Sequence, residues 1–442
     1  VEINPDYIQE AQRQTERFDQ RHRTQIIRHN FFHADWRRIV ENLPDPLLIV
    51  GNPPWVTNSQ LGTIESDNLP GKTNFHHLNG LDALTGKSNF DISEWMLLRA
   101  LEWINSRCAT LAVLCKTAVA RKVLSHAWKQ GFEIAQASLY RIDAQKYFNA
   151  AVDACWLVVE MLPGQRSKEC LVYDDLNLGS MGQAFGLRDD RLIADITAYE
   201  SLKHLITSEH FAWRSGVKHD CAKVFELEFE GGLFRNGLDE EVELEHDFIY
   251  PMLKSSEIAA ETNRAPRKWM LVTQRAIGED TKAIRHIAPK TWQYLLDHAD
   301  LLDARASSIY IGRPRFSVFG VGSYSFSNWK VGISGLYKKL SFRVVGPHQD
   351  KPVVFDDTCY FLACESQAQA ETVANLLNSD AARRFISALI VWDNKRPITV
   401  DLLRQLNLIT LAEQNGVDPA HIQSLKALQL NSPAIGQASL FK

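Results

Sequence analysis

Long apolar runs are missing from this 442-residue chain. No stretch approaches the roughly 18 consecutive apolar residues that a bilayer-spanning helix needs, so a membrane-embedded reading is unsupported. The opening Val1-Glu2-Ile3-Asn4-Pro5 has none of the basic and apolar regions of a secretory signal. Cysteine is scarce: seven are scattered along the chain, and the closest pairs, Cys108/Cys115 and Cys359/Cys364, lack the C-x-x-C spacing of a zinc site. Such usage points to reduced thiols in a cytoplasm, without disulfides and without a bound metal. The 14 histidines include no H-E-x-x-H arrangement, and His76-His77 reads as a polar loop. A nuclease-type Pro-Asp…Glu-x-Lys pattern beside a strand is also absent, and Asp356-Asp357 and Asp239-Glu240-Glu241-Val242-Glu243 read as solvated acidic turns.

What is present is ordinary in bulk. Hydrophobic and charged shares of 45% and 23% match a soluble globular protein, and the length suggests two or three domains. A net charge of −4 argues at first against a nucleic-acid partner. The charge is uneven, however: Pro251 to Asp350 holds 15 Lys+Arg against 8 Asp+Glu, a local balance of +7. Only a contacting face has to neutralise phosphates, so this segment suits DNA binding. A solvated basic face without a partner has the same composition.

Residues 1–170 alternate short apolar runs with helical patterns, which predicts a parallel sheet with covering helices. Val1-Glu2-Ile3 reads as the end of a strand, Pro5 to about Arg23 as a helix, and Thr24 to Phe32 as carrying a short strand. The continuous run Pro46-Leu47-Leu48-Ile49-Val50 predicts a strand buried on both faces. Apolar residues at helical spacing predict a helix over Asp91–Asn105, a strand over Leu111–Leu114 and a helix over Ala118–Gly131. Ala135–Arg141 and Cys155–Leu162 read as strands close enough to pair antiparallel. The turn-rich Pro163–Lys168 then separates this domain from residues 171–442, read as mixed α and β. There, Ile309–Val353 suggests irregular β structure, and Ser366–Val391 and Thr399–Gln405 return to helix.

The sharpest feature is Asn52-Pro53-Pro54-Trp55, directly after a predicted buried strand. An Asn-Pro-Pro-aromatic tetrapeptide arises by chance in under about 1% of chains this long. Ligands of open α/β sheets bind at the carboxyl ends of strands, where this loop stands. Its composition suits a delocalised amino nitrogen, which attacks only when both N–H bonds are drawn into hydrogen bonds. Asn52 offers a side-chain carbonyl and Pro53 a main-chain carbonyl, while the two prolines bring no competing N–H. Proline also biases Asn52 toward an extended backbone. Trp55 supplies a flat face for a base, worth about 1–3 kcal/mol of stacking.

On these residues the sequence resembles the gamma-class adenine-N6 DNA methyltransferases of restriction–modification systems, over roughly residues 1–165 and in that class's motif order. The resemblance implies a Rossmann-like S-adenosylmethionine-dependent sheet followed by a mixed α+β DNA target-recognition region. It implies S-adenosyl-L-methionine as cofactor, with Glu2, beside Ile3, accepting from the ribose hydroxyls and Asp35, beside Trp36, at the adenine. Asn52 borders the cofactor too, and Asn52, Pro53, Pro54 and Trp55 form the catalytic motif. The helix Phe90–Leu101 and Leu111–Thr117 match later motifs. In Tyr147–Ala154, the resemblance makes Phe148 the aromatic expected to stack on the second face of the extruded adenine. In the C-terminal half, Phe316–Gly322, Lys330–Gly335 and Lys395–Thr399 resemble target-recognition segments. Arg313, Arg315, Lys330, Lys338 and Lys339, interleaved with aromatic side chains, are the expected DNA contacts.

The sequence departs from that family in one respect. Its glycine-rich cofactor loop belongs one strand upstream of Glu2, and no such loop is present. The sheet is therefore expected to be incomplete at the N-terminus, as in a fragment or split enzyme whose missing strand and loop come from an N-terminal polypeptide. The chain by itself is then expected to be inactive. Double-stranded DNA and a restriction endonuclease are the implied partners. Two other readings stay open: a non-catalytic DNA-binding or specificity component, and an Asn-Pro-Pro-aromatic methyltransferase acting on RNA or on protein glutamine.

Overall fold

The computed structural model describes residues 1–17, 24–55, 91–176, 181–207, 211–260, 265–392, 396–423 and 425. Residues 18–23, His76-His77, Phe90 and Lys395 therefore lie outside the described residues. Two compact units divide the chain, Val1–Ile196 and Thr197–Lys442.

The first unit is built on a seven-stranded mixed sheet. Its strands are β1 (Leu47–Gly51), β2 (Ala109–Lys116), β3 (Ile134–Ile142), β4 (Ala154–Met161), β5 (Glu169–Tyr173), β6 (Met181–Arg188) and β7 (Arg191–Ile193), in the order β1-β2-β4-β3-β5-β6-β7. β1 and β2 run parallel, with Gly51 opposite Val113, whereas β4 is antiparallel to both β2 and β3. The helices are α1 (Pro5–Arg17), α2 (Trp36–Glu41), α3 (Ile92–Ile104), α4 (Thr117–Lys129) and α5 (Ala144–Phe148). α3 begins where the Asp91 side chain accepts from Ser93 N, and it buries Leu97, Leu98, Leu101 and Ile104. That stripe packs with Leu111, Val113, Leu139, Leu157 and Val159 in one core. α4 gives way to Gly131, whose φ of +75° suits glycine.

Two expectations change. β1 is an edge strand: Leu47 and Ile49 pack against the core, but Leu48 and Val50 are each 61% exposed, so one face is covered rather than two. Thr24–Phe32 holds no strand, only a parallel bridge from Glu2 to Arg28, closed by Glu2 N to Ile27 O (3.1 Å) and His29 N to Glu2 O (3.1 Å). This bridge stands outside the seven-stranded sheet, so no described strand extends it into a ladder.

The second unit holds two sheets. Its strands are β8 (Arg214–Ser215), β9 (Glu226–Glu230), β10 (Leu233–Asn236), β11 (Glu241–Val242), β12 (Ile249–Leu253), β13 (Lys268–Leu271), β14 (Trp329–Ser334), β15 (Arg343–Val345), β16 (Val354–Phe355) and β17 (Cys359–Cys364). They form the orders β11-β10-β9-β13-β12-β16 and β15-β14-β17-β8. The helical stretch Ser366–Val391 is two helices, α6 (Gln367–Leu377) and α7 (Asp380–Leu389). The break is specified locally. Asn378 turns its side chain to the Phe342 backbone (2.7 and 3.1 Å), and Ser379 caps the new helix.

Glu226 is a buried carboxylate in this unit, 5% exposed at its side chain, with Lys254 Nζ at 2.5 Å, Lys268 Nζ at 3.2 Å and His219 Nε2 at 3.5 Å. Burial alone raises its proton affinity, but hydrogen bonds from His219 and Lys254 outweigh it and bring the carboxyl down to about 2. A folded-state value below the unfolded one stabilises the fold above the ordinary carboxylate range and is lost as pH falls. Unfolding free energy is therefore expected to fall between about pH 4.5 and about pH 2. Glu226→Gln should flatten that part of the acid limb and cost about 1–3 kcal/mol at pH 7, because both lysines reach solvent and lose only part of their pairing. Acid titration followed by circular dichroism checks this, and an unaltered acid limb in the variant would refute the assignment.

Candidate active site

β1 carries the site. Because it runs parallel to β2, both strands end on the same side, and the segment after Gly51 comes to lie beside Leu114–Lys116. Asn52 is exposed, Pro53 buried, Pro54 exposed and Trp55 half-buried. Among the described residues the Asn52 side chain makes no hydrogen bond, so its amide oxygen is available to a ligand. Trp55 is held at both ends: its Nε1 donates to the Leu114 carbonyl (3.4 Å), and its own carbonyl accepts from Lys116 Nζ (3.1 Å). Lys116 also pairs with the buried Asp91 (2.7 Å).

A third segment closes on this loop. Thr117 N donates to Asp153 O at 2.9 Å, tying the end of β2 to the turn before β4. Asp143 caps the short α5 by accepting from Lys146 N, and Asn149 ends it in the left-handed region. The turn places Phe148 edge-on to Trp55, with centroids 6.3 Å apart and planes at 78°. Phe148 is 50% exposed. The two aromatics picked out in the sequence thus meet in space, in contact with each other and with no gap between them for a flat ring. Beside them Ile142–Gln145 and Ala150–Asp153 line an open cavity of about 460 Å³.

The residues expected at a cofactor share this unit, but among the described residues no hydrogen bond or ring contact joins them to Asn52–Trp55. Glu2 Oε1 accepts from Ile3 N and Asn4 N, both at 2.8 Å, while Oε2 has no partner among the described residues. Asp35 is the N-cap of α2, its Oδ1 accepting from Arg38 N at 3.2 Å. Trp36 stacks on Trp103 (5.2 Å, 22°) and packs on Phe31 (4.8 Å), with Phe32 on Trp95 close by in sequence. All five rings are half-buried. A free carboxylate oxygen and a partly open aromatic surface fit a vicinal diol and a purine.

In the second unit the expected phosphate contacts divide. Arg313, Lys338 and Lys339 are exposed, and Arg313 lies 5.8 Å over the Phe319 ring. Arg315 is also exposed but pairs with Asp303 (2.6 Å). Lys330 is a correction. It is 1% exposed, and its Nζ donates to the carbonyls of Ser327 and Val353. Burial lowers its ammonium to about 7, and no phosphate reaches it. Lys116 and Asp91 escaped the sequence reading. Each marks only the end of an element, and nothing local signals that they pair across 25 residues.

No family model matches the chain. The Type II methyltransferase M.NspV from Nostoc sp. is 46% identical over 419 residues, 93% of this chain and 86% of that protein. Among solved structures, the Type IIL restriction-modification enzyme MmeI in complex with DNA is 14% identical with a TM-score of 0.48, over 92% of this chain and 56% of its own. The type IIG restriction endonuclease BpuSI is 12% identical with a TM-score of 0.33, over 89% of this chain and 50% of its own. The chain spans about half the length of these solved structures, and both likenesses are too loose to speak for function.

Two thiols face each other across paired strands, Cys115 on β2 and Cys155 on β4, with sulfurs 3.9 Å apart. Their mutual hydrogen bond, then burial, hold Cys115 well above its usual value, and burial does the same to Cys170. Cys108 and Cys221 are half-buried, and the other five cysteines are buried. Because the thiolate is the reactive form, a thiol reagent at pH 8 should label the native chain at Cys108 and, more slowly because burial raises its thiol, at Cys221, and all seven cysteines only in denaturant. Native labelling of Cys115, read by peptide mass spectrometry, would contradict the packing at this strand.

Proposed function

We propose, from the premise that this chain belongs to the Type II methyltransferases, that it transfers a methyl group to the N6 of an adenine turned out of double-stranded DNA, within a restriction–modification system. The observation that carries the reading is the Asn52–Trp55 loop at the carboxyl end of β1, with the Trp55 ring meeting Phe148.

The chemistry follows from what each group can accept. The exocyclic amine of adenine is a poor nucleophile because its lone pair is delocalised into the ring. The Asn52 side-chain oxygen and the Pro53 carbonyl accept its two N–H bonds and favour a pyramidal nitrogen with its lone pair exposed. Pro53 and Pro54 have no N–H to compete for the same acceptors. Trp55 and Phe148 supply stacking surfaces, and Phe148 swings aside from its edge-on contact to admit the base. Glu2, Ile3, Asp35 and Trp36 would hold S-adenosylmethionine, which supplies an electrophilic methyl group. Orientation of the amine toward that group contributes much of the rate. In the second unit, exposed Arg313, Arg315, Lys338 and Lys339 form the DNA-contact set, and buried Lys330 is left out of it.

Among the described residues β1 pairs on one side alone, with β2, and its other edge suits one further parallel strand. We read it as the place for the strand that carries the glycine-rich cofactor loop. RNA and protein glutamine are the rival acceptors, and the basic, aromatic segment from Pro251 to Asp350 favours DNA.

Labelled methyl from S-adenosylmethionine, supplied to the complete protein with unmethylated DNA, should appear on adenine N6. Asn52→Ala is expected to lower that rate by at least about 100-fold, the scale seen when one group poised for the transition state is removed, with cofactor affinity kept. Trp55→Ala should weaken capture of the base by about 1–3 kcal/mol. Label on RNA or protein with none on DNA sinks the DNA reading. Arg313→Ala should lower the slope of log affinity against log salt by about one. An unchanged slope would remove Arg313 from the contact face.

A further inference from the structure

We infer that Lys116 is a positioning residue for the Asn52–Trp55 loop, acting with Asp91 as a charged clamp on the Trp55 main chain. The inference rests on the methyltransferase reading above and deepens it. Lys116 is the last residue of β2, and its ammonium lies 2.7 Å from Asp91 Oδ2 and 3.1 Å from the Trp55 carbonyl oxygen. The other Asp91 oxygen, Oδ1, accepts from Ser93 N (3.1 Å) and Ser93 Oγ (2.5 Å) at the start of α3. One carboxylate thus divides its two oxygens between a helix cap and a lysine. Side-chain exposures of 27% for Lys116 and 9% for Asp91 leave the pair weakly screened by water.

The loop needs such a clamp because of its own composition. A loop is commonly pinned by its N–H groups, but Pro53 and Pro54 have none. One handle that remains is the Trp55 carbonyl, and holding a carbonyl requires a donor from elsewhere. Lys116 provides a charged one, and a hydrogen bond from an ammonium is roughly twice as strong as a neutral one. Two residues earlier on the same strand, the Leu114 carbonyl takes the Trp55 indole N–H. Main chain and ring of Trp55 are therefore fixed to one rigid strand, which sets the ring against Phe148. Asp91 extends the linkage to α3, whose Trp95 and Trp103 belong to the aromatic surface on the cofactor side. The clamp joins the element that faces the cofactor to the ring that faces the base.

Three variants of the complete protein test this: Lys116→Met, Lys116→Arg and Asp91→Asn, in which the amide oxygen preserves the helix cap. Lys116→Met is expected to lower kcat for DNA methylation by about 10–100-fold, the scale of a displaced catalytic group, with the Kd for S-adenosylmethionine and the melting temperature held. Lys116→Arg should recover most of that loss. Asp91→Asn should lose less than Lys116→Met, and the double variant should be no worse than Lys116→Met alone, because the two residues act as one unit. Among the 11 tryptophans, labelled with 5-fluorotryptophan, the Trp55 resonance is identified by its absence in Trp55→Phe. It should shift and broaden in Lys116→Met. An unmoved Trp55 resonance overturns the clamp, and so does a kcat within about twofold of wild type. A fall in melting temperature and cofactor affinity that accounts for the lost rate overturns it as well. If the wild-type protein methylates no DNA but the Trp55 resonance responds to Lys116→Met, the clamp stands and the DNA methyltransferase reading falls.

Discussion

The parallel register between β1 and β2 is the constraint on which the site depends. With Gly51 opposite Val113, both strands end on the same side, and the loop after β1 emerges beside Leu114–Lys116. A slip of one residue would turn Leu47 and Ile49 outward and bring the wrong face of β1 to the core. The register is held from the β2 side, since β2 is paired along its length with β4 and buried under α3 through Leu97, Leu98 and Leu101. The turn before β1 is fixed to the same strand's start, where Arg107 reaches Asp45 and the carbonyls of Val40 and Leu43. An edge strand with one open face can therefore present the Asn52–Trp55 loop accurately, because its neighbour is rigid.

At its two prolines the loop has no backbone N–H, and the Asn52 side-chain oxygen and the Pro53 carbonyl are acceptors. That suits the proposed amine substrate, and it also leaves the loop with fewer groups by which to anchor it. The structure resolves the conflict from β2, where Lys116 donates to the Trp55 carbonyl and the Leu114 carbonyl accepts from the Trp55 indole. Packing and chemistry are thus linked at Trp55, whose carbonyl and indole are both committed to the neighbouring strand while its ring stays half-buried against Phe148.

Charge illustrates how far composition can be trusted. The local excess of positive charge between residues 251 and 350 is real, but its members have different fates. Arg313, Lys338 and Lys339 are exposed, Arg315 pairs with Asp303, and Lys330 is enclosed with two backbone carbonyls. Glu226 shows the converse, an acidic residue drawn inside by Lys254 and Lys268. Burial of a charge depends on which partners reach it from distant segments, and a sequence window does not contain them.

Much of the first unit was legible in the sequence because its signals are local. Hydrophobic periodicity fixed α3, β2, α4, β3 and β4 to within a few residues, since burying one face of a helix or strand leaves its period in the residues themselves. The Asn52–Trp55 loop was legible for a similar reason: two prolines between an amide and an aromatic side chain are rare and carry their own chemistry. Less was legible where the deciding contact was distant. The exposure of Leu48 and Val50 depends on what packs over that face of β1, the split at Asn378 on the backbone of Phe342, and the place of Lys330 on Val353. The sequence by itself determined the elements and the acceptor groups of the loop. The tertiary structure alone decided that Phe148 meets Trp55 and that Lys116 and Asp91 hold it, because those contacts are set by sheet order, a property of how strands pair across the whole unit.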